Sequence, residues 1–338
     1  MSQWLRRIAK RTRAERSYAV TATKPVLLFY LCVLSFVSGG AACPMRQTIT
    51  EFQPPIVFSN QPNLDEIKAH VNKSLALNDL ESNNLIVTGP ELPARLRGSI
   101  KWQRPRNFRL EAYLGTKLMK AFEAGSNDQR FWLQRNSDIY FASHQEFDSY
   151  PGPRNVLPVS PLWLREAMGV VEFAPNFAHE QPIEHPDGKL EIRSIFPSNR
   201  PGAFHQRHIV IDASTGVIEQ TILKDHTGRM IARAFQSEHQ YYSEIDFSLP
   251  HKIDVQLIPE VGPPLMFTIE VGFYLINQSE GNNPRQWQFP DTTGMNQYNL
   301  TQLNSTGQLT VVPPAYTPVR SPYVSRANNN VNIRGWNR

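Results

Sequence analysis

The sequence predicts a mainly β domain of the α+β class: an antiparallel sheet with one helix ahead of it and a second, apolar helix set into it. Three observations carry that reading. Apolar and polar residues alternate with period two in successive runs between residues 96 and 275, the pattern of strands with one buried and one solvated face. Leu64, Ile67, Val71 and Leu75 fall at helical spacing just before those runs. Residues 160–171 interrupt the runs and are apolar on nearly every side.

In chain order, Asn63-Leu64 opens the first helix, Asp65 and Glu66 sit in its first turn, and Asn78 can end it. One of its faces is apolar, so it must lie on something. Leu96, Gly98, Ile100 and Trp102 then alternate with Arg97, Ser99 and Lys101. After the break Arg104-Pro105-Arg106, Phe108, Leu110 and Ala112 alternate with Arg109, Glu111 and Tyr113. Further strands are expected over 117–123, 129–134 and 138–143, with Gly125-Ser126-Asn127-Asp128 as a turn. A second meander is expected over 190–196, 208–212, 217–224, 230–241, 252–257 and 265–275, turning at Ser214-Thr215-Gly216 and Asp225-His226-Thr227-Gly228. Its last run alternates without exception through Leu265, Phe267, Ile269, Val271, Phe273 and Leu275.

Between the two meanders, Ser160 suits an N-cap and Pro161 a first helical position, so residues 160–171 read as a short helix. Leu162, Trp163, Leu164, Met168 and Val170 leave it no polar side. Its place is inside a curved sheet or across its mouth.

The N-terminus reads as an export signal. Arg6, Arg7, Lys10, Arg11, Arg13, Arg16 and Lys24 precede an apolar run over 26–37, and only small residues separate that run from Cys43. Gly40-Ala41-Ala42-Cys43 resembles the lipobox of bacterial lipoproteins, which implies a diacylglyceryl group on the Cys43 sulfur and cleavage before it. Two other readings stand beside this one, an uncleaved anchor and a soluble secreted chain. The apolar core of about a dozen residues is short of the roughly 20 that a spanning helix needs. The whole chain has 35 basic and 30 acidic residues; residues 1–42 hold seven and one of these, leaving 28 against 29. The basic excess therefore belongs to the leader and argues for no nucleic-acid partner. Cys32 lies within the leader, so the remainder has no pair of thiols for a disulfide or a cysteine metal cage.

The order of elements resembles the LolA/LolB family of periplasmic lipoprotein carriers and outer-membrane lipoprotein receptors. Residues 98–110 (Gly98-Ser99-Ile100-Lys101-Trp102-Gln103-Arg104-Pro105-Arg106-Asn107-Phe108-Arg109-Leu110) are similar to its strand, basic-proline corner and aromatic strand opening. Asn127-Asp128-Gln129-Arg130-Phe131-Trp132, Asp212-Ala213-Ser214-Thr215-Gly216, Asp225-His226-Thr227-Gly228, Leu249-Pro250, Asn277 and Phe289-Pro290 carry the rest of the likeness. The resemblance implies a strongly curved antiparallel sheet forming an unclosed barrel, with an N-terminal helix and a short apolar lid helix over a greasy cavity. Ile100, Trp102, Phe108, Leu110, Trp163, Met168, Phe267, Ile269, Val271 and Phe273 are then the candidate lining, and Arg104 the candidate latch of the lid.

Catalytic motifs are thin. His205 and His208 enter a strand at a spacing that sends them to opposite faces, and His179-Glu180 with Glu184-His185 lies in a proline-rich loop. Nothing matches a nucleophile elbow, a phosphate loop or a zinc helix. The expectation is a non-enzyme without cofactor or metal. Its organisation is a signal over 1–42, a tether over 43–59, a lipid-binding domain over 60–291 and a disordered Asn/Gln/Pro-rich tail over 292–338. The chain is expected as a monomer, anchored by lipid at Cys43 in the bacterial envelope, in the outer membrane facing the periplasm. There it would bind an acyl chain, lipid or lipoprotein. The competing expectation is a structural or sensing module with a filled interior.

Overall fold

The computed structural model of the protein describes residues 53–312, except 93, 116–118, 151, 198–202, 279–282 and 304–307. Cys43, the leader before it, the tether as far as residue 52 and residues 313–338 lie outside the described residues.

The first helix, α1 (Leu64–Val71), opens on a capping box: Asn63 accepts from the amides of Asp65 and Glu66, and Glu66 accepts from the amide of Asn63. It stops short of Asn78, passing at Asn72 into a 3-10 helix over Asn72–Ala76. There Asn72 turns its amide group to the backbone of Phe173, accepting from its N–H at 2.8 Å and donating to its carbonyl at 3.3 Å.

The first meander comprises β1 (Asp79–Thr88), β2 (Leu96–Gln103), β3 (Asn107–Leu114), β4 (Met119–Ser126), β5 (Arg130–Arg135) and β6 (Asp138–Ser143). Helix α2 (His144–Ser149), a 3-10 helix over Pro161–Trp163 and α3 (Leu164–Ala167) follow. The second meander comprises β7 (Ala178–His179), β8 (Ile183–Glu184), β9 (Lys189–Pro197), β10 (Phe204–Asp212), β11 (Ile218–Lys224), β12 (Met230–Tyr242), β13 (Phe247–Leu257), β14 (Leu265–Val271) and β15 (Leu275–Ile276). β16 (Asn296–Leu303) and β17 (Leu309–Val312) close the described chain.

β1 joins the two halves into one sheet, pairing with β2 on one side and with β14 and β15 on the other. Pairing then runs outward through β13, β12, β11 and β10 to β9, which carries β7 and β8, and through β3, β4, β5 and β6 to β16 and β17. β9 and β17 do not pair with each other, so the curved sheet stays open. The unclosed antiparallel barrel with an N-terminal helix and an apolar insertion, expected from the LolA/LolB resemblance, is the observed arrangement. The main core fills the concave side, with Leu85, Ile100, Trp102, Phe108, Leu110, Phe131, Ile253 and Ile269 at its centre. A smaller one, around Ile67, Val71, Phe173, Ile192 and Ile209, seats α1 on β9 and β10.

Three expectations change. The 160–171 helix shrinks to the 3-10 turn and the four residues of α3, because Gly169 takes φ +82 and reverses the chain. The 265–275 strand breaks at Gly272: β1 is bulged between Ser82 and Leu85, and Asn84 approaches so closely that a Cβ on Gly272 would lie 2.2 Å from its side chain. The break sends Phe273 outward, 43% exposed. The tail expected from 292 is partly ordered, since β16 pairs parallel with β6, Tyr298 stacks on Tyr140 at 5.1 Å, and Leu300 is buried.

Candidate functional site

A cavity of 640 Å³ lies on the concave face, within the range of roughly 300–1,000 Å³ typical of small-molecule sites. Alternation builds its walls: Val87 from β1, Leu110 and Leu114 from β3, Phe122 and Ala124 from β4, Leu133 from β5, Leu257 from β13, and Leu265 and Phe267 from β14. Leu157, Val159, Pro161, Trp163 and Leu164 cover it from the inserted segment. Ala121 and Ala124 put only methyl groups into this wall.

The mouth lies at one end of the sheet, where the β1–β2, β3–β4, β5–β6 and β13–β14 connections turn. Pro90, Glu91, Leu92, Met119, Lys120, Arg135, Asn136 and Met266 edge it. Two methionines there are open to solvent, Met119 at 62% and Met266 at 46%. The Lys120 ammonium is drawn off the opening by Glu111, at 3.0 Å, and by Glu123. The Glu123 side chain is only 1% exposed and also accepts from Arg109 at 2.8 Å and Trp132 at 2.9 Å. Burial by itself would raise its carboxyl pKa; the bonds from Lys120, Arg109 and Trp132 outweigh burial and hold it low.

The inserted segment is fixed along its second half. Gln236 donates to the Ala167 carbonyl at 3.0 Å, Ser74 to that of Val171 at 2.9 Å, and Arg207 to that of Glu172 at 2.7 Å. The cavity therefore opens at the sheet end, and α3 is a plug behind it.

Of the candidate lining, Leu110, Trp163 and Phe267 face the cavity. Trp102, Phe108 and Met168 close on one another in a crevice without free volume, and Ile100, Ile269 and Val271 are packed core. Phe273 is outside. Arg104, the candidate latch, makes no hydrogen bond to the inserted segment among the described residues; its Nε donates to the Leu77 carbonyl at 2.8 Å and ties the corner to the end of the N-terminal helical segment. The residues that sequence reasoning passed over, Ala121, Phe122, Ala124, Leu133, Leu157 and Val159, sit in β4 and β5 and on the approach to α3. Their signal was the small residues in β4, which the alternation argument weighs no differently from large ones.

The histidine pairs separate. His179 meets Ser194 and the Ala174 carbonyl, whereas His185 and His208 both meet Glu191, at 3.0 and 2.6 Å. Burial would raise the Glu191 carboxyl, but bonds from Arg193, His208 and His185 prevail and bring it down to about 2. Among the described residues no group of three His, Cys, Asp or Glu side chains could hold a metal ion. Among them too, no helix is long and apolar enough to cross a membrane.

No protein-family model and no curated protein matches the chain. Solved structures similar to it include a domain named for outer-membrane lipoprotein sorting from Vibrio parahaemolyticus, at 9% identity over 65% of this chain and 97% of that one, TM-score 0.42. A LolA superfamily protein from Nitrosomonas europaea matches at 7% identity over 68% and 98%, TM-score 0.42. A DUF1329 family protein from Desulfovibrio piger matches at 9% identity over 66% and 99%, TM-score 0.43. The architecture stands on the strand pairings above, and the function on the cavity.

Proposed function

We propose that this chain is a non-catalytic envelope lipoprotein, anchored through a lipid on Cys43, that holds an acyl chain of a lipid or lipoprotein in the cavity. The observation that carries the ligand is the cavity itself, apolar along its walls, with its charged groups at the mouth. Each methylene buried there contributes about 0.8 kcal/mol, so shape and greasiness alone retain a chain while the polar head stays in water. Attachment through Cys43 is supported by the lipobox-like stretch 40–43, and residence in the outer membrane facing the periplasm is carried over from the resemblance to the receptor type.

The test is titration of the full chain with a fluorescent fatty-acyl probe. Ala124→Phe, which fills the cavity, should weaken binding about tenfold or more while costing roughly 1–3 kcal/mol if it overpacks. Absence of probe binding by the unmodified protein defeats the reading. It would favour the structural or sensing module, which the pinned plug also supports. The anchor is tested separately: Cys43→Ser should release the protein from membranes under alkaline wash, and retention would point to an uncleaved leader.

A further inference from the structure

Charges on the sheet and beside the inserted segment are mostly matched. Lys101 meets Glu81 at 2.8 Å, Arg109 meets Glu123 at 2.8 Å, and Arg207 meets Glu166 at 3.5 Å. Two arginines at the end of the sheet away from the mouth are different. Arg104, at the β2–β3 corner, and Arg165, in α3, place their guanidinium carbons 5.4 and 5.8 Å from the centre of the Trp102 ring. Among the described residues neither has a carboxylate within ion-pair distance. Arg104 spends Nε on the Leu77 carbonyl, and among the described residues its terminal nitrogens meet no acceptor. Arg165 Nε is buried without an acceptor, and so is the indole N–H of Trp102, a residue 3% exposed. Burial first, and then the like charge of Arg165, lowers the pKa of Arg104; the charge of Glu172 acts the other way, without forming an ion pair.

Two cations on one indole, with orphaned buried donors and no acceptor, describe a place short of an anion. A guanidinium presents parallel N–H groups that fit two oxygens of an oxyanion, and a tetrahedral dianion has oxygens enough for two such forks. We propose that Arg104 and Arg165 form a binding site for a phosphate-class oxyanion at the end of the sheet opposite the cavity mouth. The amides of Val57 and Phe58 are held by the Ser214 carbonyl in the β10–β11 turn, so the chain enters the domain at this same end. A phospholipid head is therefore one source of the anion, and soluble phosphate the other.

The test follows the Trp102 indole N–H and the arginine Nε–H signals of the full chain by NMR during titration with inorganic phosphate, with Trp102→Phe identifying the indole. Saturable shifts are expected. Arg165→Gln should weaken the response by about tenfold or more, as for loss of a charge-assisted pair, and Glu172→Gln should strengthen it severalfold. Because the two substitutions act in opposite directions, misfolding of one cannot mimic both. A second arm compares binding to phosphatidylcholine vesicles with and without phosphatidic acid. Enhancement that Arg165→Gln abolishes assigns a lipid head, and phosphate shifts without enhancement assign a soluble anion. No saturable shift at tens of millimolar phosphate, or equal affinity in Arg165→Gln, overturns the site.

Discussion

Glu123 ties the wall of the cavity to the outside of the sheet. It projects from β4 to the convex face, where Arg109, bonded to it, also donates to the carbonyls of Gln286 at 2.7 Å and Gln288 at 3.2 Å. Phe289 then covers Trp132 edge-on at 5.5 Å. Replacing Glu123 by Leu should cost about 3 kcal/mol in urea unfolding, since three donors lose a shared acceptor in a dry place; Glu123→Gln, which keeps an acceptor, should cost less. Equal cost for the two would show that packing, not the acceptor, matters there. In the sequence Glu123 stands on the polar side of an alternating strand and reads as solvated. Its burial depends on a segment more than a hundred residues later in the chain, which no local period reports. Asn277 was marked in the sequence only through the family resemblance; the structure supplies the physical reason, since at φ 52 it accepts from the amides of Asn78 and Asp79, and Asn is a type the left-handed region tolerates.

Most elements were legible from the period, and the bulge in β1 hid the strand that matters most. β2, β3 and β9 alternate closely, whereas β1 escapes the pattern: Leu80 and Ser82 are buried before the bulge, Leu85 and Val87 after it. The strand that joins the two meanders was thus the one hardest to read. The inserted segment shows the reverse case, since its apolarity announces burial but not what fixes it. The acceptors are main-chain carbonyls, and their donors, Gln236, Ser74 and Arg207, lie far away in sequence. Gln236→Leu should cost about 1–3 kcal/mol and speed amide exchange over 164–171. Probe affinity should change little, because Leu157, Val159, Pro161 and Trp163, which cover the cavity ahead of α3, are untouched and only Leu164 of α3 reaches it; a parallel loss of affinity would mean that the plug itself gates the site.

At the scale of the whole molecule, the buried histidines set a pH response. Burial lowers His70, between the rings of Phe58 and Phe247, to about 4, and lowers His239, which donates to the Ile218 carbonyl, to about 4. Above the unfolded value near 6.5 neither state binds the proton, and the folded state keeps its full advantage. Between 6.5 and 4 the unfolded chain takes up protons that the folded one refuses, so stability falls with pH, by about 1–3 kcal/mol for each histidine. Urea midpoints measured from pH 8 to 5 should show this fall, and His239→Gln should remove its share; a midpoint flat from 7 to 5 would contradict the assignment. The parallel pairing of β6 with β16 bears on how the protein is made. As the chain emerges N-terminus first, β6 is complete at Ser143, but its outer edge gains a partner only when Asn296 and its successors follow. In that interval the nascent domain displays an unsatisfied ladder, the kind of edge on which chains associate. Ending translation at residue 291 should make that state permanent, giving a protein that folds its meanders yet self-associates through β6, visible as oligomers in sedimentation.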